Sequence, residues 1–208
     1  MLSTVGVFTA LSIVGLMRPS PADLYSNRHL LGVLAIEAAM ASLWVPLLRR
    51  DGWTLRAVTH PPAPGDILHG ASLWLYTWLT YYAAWVGTWI VAPAFTRAAA
   101  DAAHFGGRPE WWAVIVGSLT NPVAEEFLYL AVIARPLEPE SRMLALSACT
   151  VARVLVHVYQ GPFAILSVLP TGLIFGAYYL ATHRIWPVVF AHAAMDLLAL
   201  GRLASSGQ

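Results

Sequence analysis

Eight ionisable residues interrupt long apolar stretches of this 208-residue chain, and they are the side chains best able to do chemistry there. A charge at the centre of a bilayer costs about 3 kcal/mol on insertion scales, so such residues usually face a protein interior or a water-filled cavity. Six of the eight lie in three apolar segments between residues 125 and 196. The eight residues are Glu37, His69, Glu125, Glu126, Arg153, His157, His192 and Asp196.

The spacing of these residues indicates which of them can act together. Arg153 and His157 are four residues apart, and so are His192 and Asp196. Residues four apart on a helix lie on one face. Each pair can therefore point toward a single centre.

Glu125 and Glu126 are adjacent, which places their side chains about 100° apart on a helix. One can therefore face a reaction centre while the other pairs with a cation. The dipeptide Asn121-Pro122 just before them is a break at which a helix could begin. In that case the two acids could simply favour the first helical turn.

Together these residue types can hydrolyse an amide. A buried carboxylate can act as a general base on a water molecule. A histidine can hold that water or donate to the developing oxyanion, and an acid beside a histidine fixes its tautomer or its charge. The sequence contains neither a G-x-S-x-G serine elbow nor an H-E-x-x-H zinc motif.

The composition predicts that these residues belong to an all-α membrane protein. Hydrophobic residues make up 58% of the chain and charged residues 11%, with a mean hydropathy of +0.63. Charged residues make up about 25% of soluble domains, and a soluble fold of this length could not bury so much apolar surface. We therefore expect a polytopic transmembrane helical bundle, with residues 1–208 forming one integral membrane domain.

Seven apolar segments approach or exceed the roughly 20 residues that cross a bilayer. Connections rich in polar and turn-forming residues separate them, at residues 18–28, 49–66, 96–110 and 135–142. The predicted spans are roughly residues 2–17, 29–48, 67–95, 111–134, 143–159, 162–181 and 187–201.

Charge and cysteine content narrow the possible partners and cofactors. The net charge of +1 gives no basic field for nucleic acid. The single cysteine, Cys149, permits neither a disulfide within the chain nor a cysteine-based zinc site. We therefore predict no nucleic-acid partner and no cofactor, with the lipid bilayer as the main surroundings.

Three of these clusters resemble the motifs of the CAAX prenyl endopeptidase and bacteriocin-processing family, also called CPBP or Abi. Residues 125–130 (EEFLYL) resemble its first motif, in which two glutamates are followed after three residues by an arginine. Residues 153–157 (RVLVH) resemble the second, a phenylalanine four residues before a histidine. Residues 186–196 (WPVVFAHAAMD) resemble the third, a histidine followed four residues later by Asn or Asp. The resemblance covers a core of about residues 111–201.

The resemblance implies a glutamate-dependent, metal-independent intramembrane protease. Carried over by position, Glu125 is the general base that activates water, and His157 helps to position that water. His192 and Asp196 flank the scissile carbonyl and its oxyanion, and Glu126 supports the site. An ionised Asp196 can only accept hydrogen bonds, so it must either be protonated to donate to the oxyanion or orient His192 as the donor. We expect the second.

Two positions depart from the family pattern. Leu130 stands where the first motif has arginine, and Arg153 stands where the second has phenylalanine. We interpret this as an exchange, in which the guanidinium has moved to the neighbouring helix and neutralises Glu126 or Glu125. A buried pair of acids without a cation would otherwise retain one proton.

The expected substrate is a membrane-tethered protein or a hydrophobic peptide, cleaved by a multi-pass protein of the bacterial inner membrane. Other functions stay open. A zinc-dependent membrane hydrolase could use His157, His192 and a carboxylate. The two altered motifs permit a non-enzymatic scaffold or immunity protein, and buried acids and histidines also serve proton-coupled transporters. Glu37 is predicted to be a packing or interfacial acid, with a place in a substrate cavity as the alternative.

Overall fold

The computed structural model of the chain describes residues 26–50, 52–54, 59–102 and 108–205. Within these ranges the chain is helical and contains no strand. This confirms the all-α class. The first predicted span, at roughly residues 2–17, lies outside the described residues.

Six of the predicted apolar segments are confirmed as helical. The last turn of one of them, after Val156, is a 3₁₀ helix, and a π-helix follows α4 directly. In chain order the elements are α1 (Asn27–Arg50), α2 (Pro64–Val91), α3 (Pro93–Ala102), α4 (Trp111–Glu126), the π-helix (Phe127–Ala134), one α-helical turn (Arg135–Leu137), α5 (Arg142–Val156), the 3₁₀ helix (Val158–Gln160), α6 (Pro162–Thr182) and α7 (Trp186–Ser205).

The prediction of a loop over residues 96–110 is wrong for its first part, because α3 continues to Ala102. Pro93 begins this helix, at a position where the missing N–H of proline costs nothing. Thr96 and Ala99 are fully buried and α3 packs against α6, whereas Arg97 is exposed. The amphipathic pattern therefore outweighs the polar composition on which the loop prediction relied.

The predicted helix start at Asn121-Pro122 is also wrong, since α4 begins at Trp111 and runs through Pro122. Glu125 and Glu126 are consequently the last two residues of α4 and are not in its first turn. Helix-start capping is thereby excluded as their role. Proline in a helix interior removes one backbone hydrogen bond, but packing on neighbouring helices can maintain the helix through such a break.

The chain divides into two compact units. One comprises residues 26–74, 108–131 and 184–205 apart from the gaps given above, and we call it the α4–α7 unit. The other comprises residues 75–102 and 132–183, and we call it the α5–α6 unit. Helix α2 and the π-helix contribute residues to both units.

In the α5–α6 unit, a G-x-x-x-G pair brings the two helices close together. A Cβ atom on Gly176 would lie 2.7 Å from Leu146 Cδ1, and one on Gly172 would lie 3.1 Å from Thr150 Cγ2. Small residues four apart allow this close approach between helices in membrane proteins. The α6 backbone thus lies directly against the face of α5 that carries Arg153.

In the α4–α7 unit, α4 packs against both α1 and α7. The connection before α7 is fixed by an ion pair of 2.6 Å between Arg184 Nη2 and Asp66 Oδ1. Asp66 is 1% exposed, and its second oxygen accepts a hydrogen bond from the backbone N–H of Ala63 at the start of α2. Trp186 Nε1 donates to the carbonyl of His60 over 2.6 Å. Together these contacts join the beginning of α7 to the beginning of α2.

Two helices in the described part of the chain, α6 and α7, are long and apolar enough to cross a membrane by length and composition. A buried core helix of a soluble protein can meet the same criteria, and α1 holds a shorter apolar stretch, Leu30–Ser42. Large apolar side chains are nevertheless exposed along the helices, and four at the two ends of α2 are 65–81% exposed: Ile67, Leu68, Ile90 and Val91. Such a surface is suited to lipid contact. The count of seven spans stays a prediction.

Gly70→Ala is expected to lower the free energy of unfolding by about 1–3 kcal/mol, because overpacking forces backbone shifts. The added Cβ would lie 2.9 Å from both Phe190 Cβ and the carbonyl oxygen of Pro187. Thermal unfolding of the detergent-solubilised protein measures the effect. Gly87→Ala on the same helix is the matched control, since its Cβ meets no atom within 4 Å. Equal melting temperatures for the two variants would contradict the close α2–α7 contact.

Candidate active site

His192 of α7 lies between two carboxylates. Its Nδ1 is 2.6 Å from Glu126 Oε1, and its Nε2 is 3.5 Å from Asp196 Oδ1. The Glu126 side chain is fully buried, and that of His192 is 12% exposed. The first contact is a short charge-assisted hydrogen bond, whereas the second is an ion pair at longer range.

The local helix geometry explains this arrangement. His192 and Asp196 are one turn apart on α7 and share a face, as their spacing predicts. Glu126 is the last residue of α4 and precedes a π-helix, in which hydrogen bonds run from residue i to residue i+5. Short π-helical stretches are rare and occur frequently at functional sites.

The donor and acceptor chemistry of His192 follows from its neighbours. An ionised carboxylate only accepts hydrogen bonds, so the short contact to Glu126 places a proton on Nδ1. Nε2 faces the Asp196 carboxylate, and a proton there would make the ring an imidazolium. In that form His192 donates from both nitrogens, with Glu126 fixing the orientation of the ring.

Asn121 is a member of this cluster that the sequence analysis assigned only to a helix break. Its Nδ2 donates to Asp196 Oδ2 over 3.3 Å. The signal that could have identified it is its position four residues before Glu125, on the same face of α4. Asp196 is thereby held from both sides, by Asn121 and by His192.

Glu37 of α1 also belongs to the cluster. It is 9% exposed and interacts electrostatically with Glu125, Asp196 and His192. Its role, as a packing acid or as part of a substrate cavity, stays a prediction. In the sequence, Glu37 is a single acid within an apolar stretch. A charged side chain there is unfavourable without a partner, and this could have pointed to its place near other charged groups.

The structure thus brings together four predicted site residues in the α4–α7 unit: Glu125, Glu126, His192 and Asp196. Glu125 is half-buried and interacts electrostatically with His192. We predicted that Asp196 orients His192, but two acids contact the ring. The shorter contact to the imidazole comes from Glu126.

Arg153 and His157, the other two predicted site residues, belong to the α5–α6 unit. Arg153 is 3% exposed, and its guanidinium carbon lies 5.6 Å from the centroid of the Phe175 ring, within the range of a cation–π interaction. His157 follows the last residue of α5, and its Nδ1 lies 2.8 Å from the carbonyl oxygen of Arg153. The exchange of the arginine position between Leu130 and Arg153 stays a prediction.

The His157 contact determines which tautomer the neutral ring adopts. A carbonyl oxygen can only accept a hydrogen bond, so Nδ1 carries the proton and donates it to Arg153. The lone pair of the neutral imidazole is then on Nε2. A ring held in this way can accept a hydrogen bond from water or bind a metal.

Within the described residues, no group of three or more His, Cys, Asp or Glu side chains is arranged to hold a metal ion. The zinc-dependent alternative, with His157, His192 and a carboxylate as ligands, therefore gains no geometric support from this part of the chain. A chelator experiment, given below, tests it directly.

Residues 107–198 match the family model described as Type II CAAX prenyl endopeptidase Rce1-like. Over these residues, which make up less than half of the chain, the protein is similar to the Rce1-like family. The match confirms the resemblance drawn from the three motifs, and its bounds are close to the predicted core of residues 111–201. No curated protein and no solved structure matches the chain.

The Rce1-like family is one of membrane-embedded proteases. All six predicted site residues lie in the Rce1-like part of the chain, and so does Asn121. Glu37 lies outside it, on the preceding helix α1. The candidate active site in the α4–α7 unit therefore combines residues of the family region with one acid from elsewhere.

Asn121→Ala is expected to lower the free energy of unfolding by about 1 kcal/mol or more, because a partly buried carboxylate of Asp196 loses a donor. Thermal unfolding in detergent measures the loss. Thr120→Ala is the matched control, since this exposed hydroxyl bonds only its own helix, at the carbonyl of Val116. Equal stability of the two variants would show that the contact between Asn121 and Asp196 contributes nothing.

Proposed function

We propose that this protein is an intramembrane endopeptidase of glutamic type, in which Glu125 activates water for attack on a peptide bond. The observation that supports it best is the placement of His192 between Glu126 and Asp196, with Glu125 beside it, in an Rce1-like region. Acids and a histidine with fixed orientation are the groups that a metal-free amide hydrolysis requires.

In the proposed reaction, the Glu125 carboxylate takes a proton from water as the water oxygen bonds to the scissile carbonyl carbon. The carbonyl oxygen becomes an oxyanion. His192 donates to it from Nε2, while Nδ1 remains bound to Glu126. The carbon–nitrogen bond then breaks, and the leaving amine takes the proton from Glu125, which regenerates the carboxylate.

The remaining residues act on orientation. We assign His157 to the attacking water, whose O–H it accepts at Nε2, because Nδ1 donates to the carbonyl of Arg153. Asp196, held by Asn121, places its carboxylate near Nε2 of His192, and Glu126 binds Nδ1, so the two acids fix the orientation of the ring.

The proposed substrate is a membrane-tethered protein or a hydrophobic peptide. The protease itself is proposed to be a multi-pass protein with about seven spans. Exposed apolar side chains on α2, α4, α5, α6 and α7 support a lipid environment. We place the protein in the bacterial inner membrane. The family description refers to a CAAX prenyl endopeptidase, and a membrane-attached peptide offers the same chemistry at its scissile bond.

Glu125→Gln is expected to abolish proteolysis, with a loss of at least about 100-fold, because an amide cannot accept the proton from water. Membrane fractions of cells that produce wild type or Glu125→Gln are compared for new protein N- and C-termini by mass spectrometry. This comparison requires no prior choice of substrate. Termini present only with wild type identify the substrates.

Glu140→Gln is the matched control, since Glu140 is exposed and undergoes the same chemical change. A strong zinc chelator is then added to purified wild type with an identified substrate. Cleavage that persists in the chelator supports the glutamate mechanism. Loss of cleavage in the chelator would instead indicate a zinc-dependent hydrolase. If all strains yield the same set of protein termini, the hypothesis of a non-enzymatic scaffold is favoured.

Arg153→Phe is expected to abolish cleavage, and Arg153→Phe with Leu130→Arg to restore part of it, if the guanidinium has moved between helices. The double variant recreates the arginine and phenylalanine of the family motifs. Cleavage of the substrate identified above provides the measurement. A double variant as inactive as Arg153→Phe would refute the exchange and leave Arg153 as a structural residue.

A further inference from the structure

Asp66 is a buried acid that the family motifs do not include. It lies in the first turn of α2, outside the Rce1-like residues 107–198, and its side chain is 2% exposed. Its Oδ2 accepts the backbone N–H of Ala63 over 2.7 Å, as acids at the third position of a helix commonly do. Its Oδ1 forms the ion pair of 2.6 Å with Arg184. The carboxylate is therefore held both by its own helix and by the residue that leads into α7.

Arg184 connects this carboxylate to the beginning of α7. It precedes Trp186, the first residue of that helix, by two positions and lies between the second and third family motifs. Its side chain is 39% exposed, whereas its partner is buried. Trp186 in turn donates to the carbonyl of His60 over 2.6 Å. Two polar contacts thus hold the chain just before α7 and at its first residue.

Packing against α2 continues along α7 up to the residue before His192. A Cβ atom on Gly70 would lie 2.9 Å from Phe190 Cβ and from the Pro187 carbonyl oxygen, and 3.5 Å from the backbone nitrogen of Ala191. This contact sets how closely the two helices approach, but apolar packing is not directional. The polar contacts at the beginning of α7 are therefore better suited to fix how the helix is rotated.

A small rotation of α7 would displace the imidazole of His192. Side chains end about 5–6 Å from a helix axis, so a rotation of about 20° moves their ends by about 2 Å. A misplacement of about 1 Å can cost about 100-fold in rate. The 2.6 Å contact between His192 Nδ1 and Glu126 Oε1 would be lost over the same displacement. The geometry of the candidate site is therefore sensitive to how the beginning of α7 is held.

We propose that Asp66 and Arg184 form a positioning pair for the catalytic centre, which sets the rotation of α7 and so holds His192 against Glu126. The inference rests on the proposed function, because the pair acts through His192. It gives a role in catalysis to the first turn of α2, which none of the three motifs includes. A pair that only stabilised the fold would change the melting temperature and leave the imidazole and the turnover of the folded protein unaltered.

The first experiment observes the orientation of His192 without any substrate. In proton NMR spectra of the detergent-solubilised full chain, the short hydrogen bond to Glu126 is expected to give a resonance far downfield of the amides, identified by its absence from His192→Gln. Arg184→Gln removes the charge of the pair but keeps a polar side chain, and it should shift or abolish this resonance. Arg142→Gln is the matched control, because Arg142 pairs with Glu138 at an exposed position in the α5–α6 unit. It should leave the resonance unaltered.

The second experiment measures turnover of the substrate identified above, below the melting temperature of each variant. Arg184→Gln is expected to lower kcat by about 10–100-fold, with KM changed less than about twofold, since the pair does not bind substrate. Arg184→Lys keeps the charge and should recover most of the loss. Asp66→Asn keeps an oxygen for Ala63 and should behave as Arg184→Gln does. It takes the place of Arg184→Gln if that variant does not fold.

Several results would overturn the inference. A resonance unchanged in the folded Arg184→Gln or Asp66→Asn protein would show that the pair does not hold His192. A kcat within twofold of wild type would show the same, even with a lowered melting temperature. Arg184→Lys as impaired as Arg184→Gln would exclude the charge as the cause. If Glu125→Gln is inactive, these results refute only this inference. A fully active Glu125→Gln would overturn the proposed function and this inference together.

Discussion

The contact between Glu126 and His192 is the constraint on which the rest of the candidate site depends. Glu126 is fully buried, so its charge can be compensated only from within the protein, and His192 provides the hydrogen bond over 2.6 Å. Meeting this requirement fixes the end of α4 against the middle of α7. Once these two helices are in register, Asn121 reaches Asp196 and Glu125 lies near the imidazole.

The beginning of α7 is fixed independently of that contact. Arg184 pairs with the buried Asp66, Trp186 donates to the carbonyl of His60, and Gly70 lets α2 approach Pro187 closely. These contacts hold α7 near its N-terminus, while Glu126 holds it near its middle. Two separate attachments along one helix determine its rotation, which directs His192 and Asp196 toward α4 and α1.

The site uses sequence from both sides of the family boundary. The Rce1-like residues supply Glu125, Glu126, His192 and Asp196, whereas α1 supplies Glu37. Glu37, Glu125 and Asp196 interact electrostatically with His192, and Glu126 binds its ring directly. This grouping follows from the packing of α1 and α7 against α4.

The sequence alone determined the helical class, the six described apolar helices, the resemblance to the Rce1-like family, and the shared helix face of His192 and Asp196, because these depend on composition and on spacing along one chain. The helix face predicted for Arg153 and His157 is not formed, because α5 ends at Val156, before His157. The sequence could not determine that α4 passes through Pro122, that polar residues 96–102 form a helix on α6, or that Glu126 rather than Asp196 makes the short bond to His192. Asn121 and Glu37 were also assigned to the site only by the fold. Each of these outcomes depends on which helices pack together, and long-range packing can override local breakers and bring together charges that are distant along the chain.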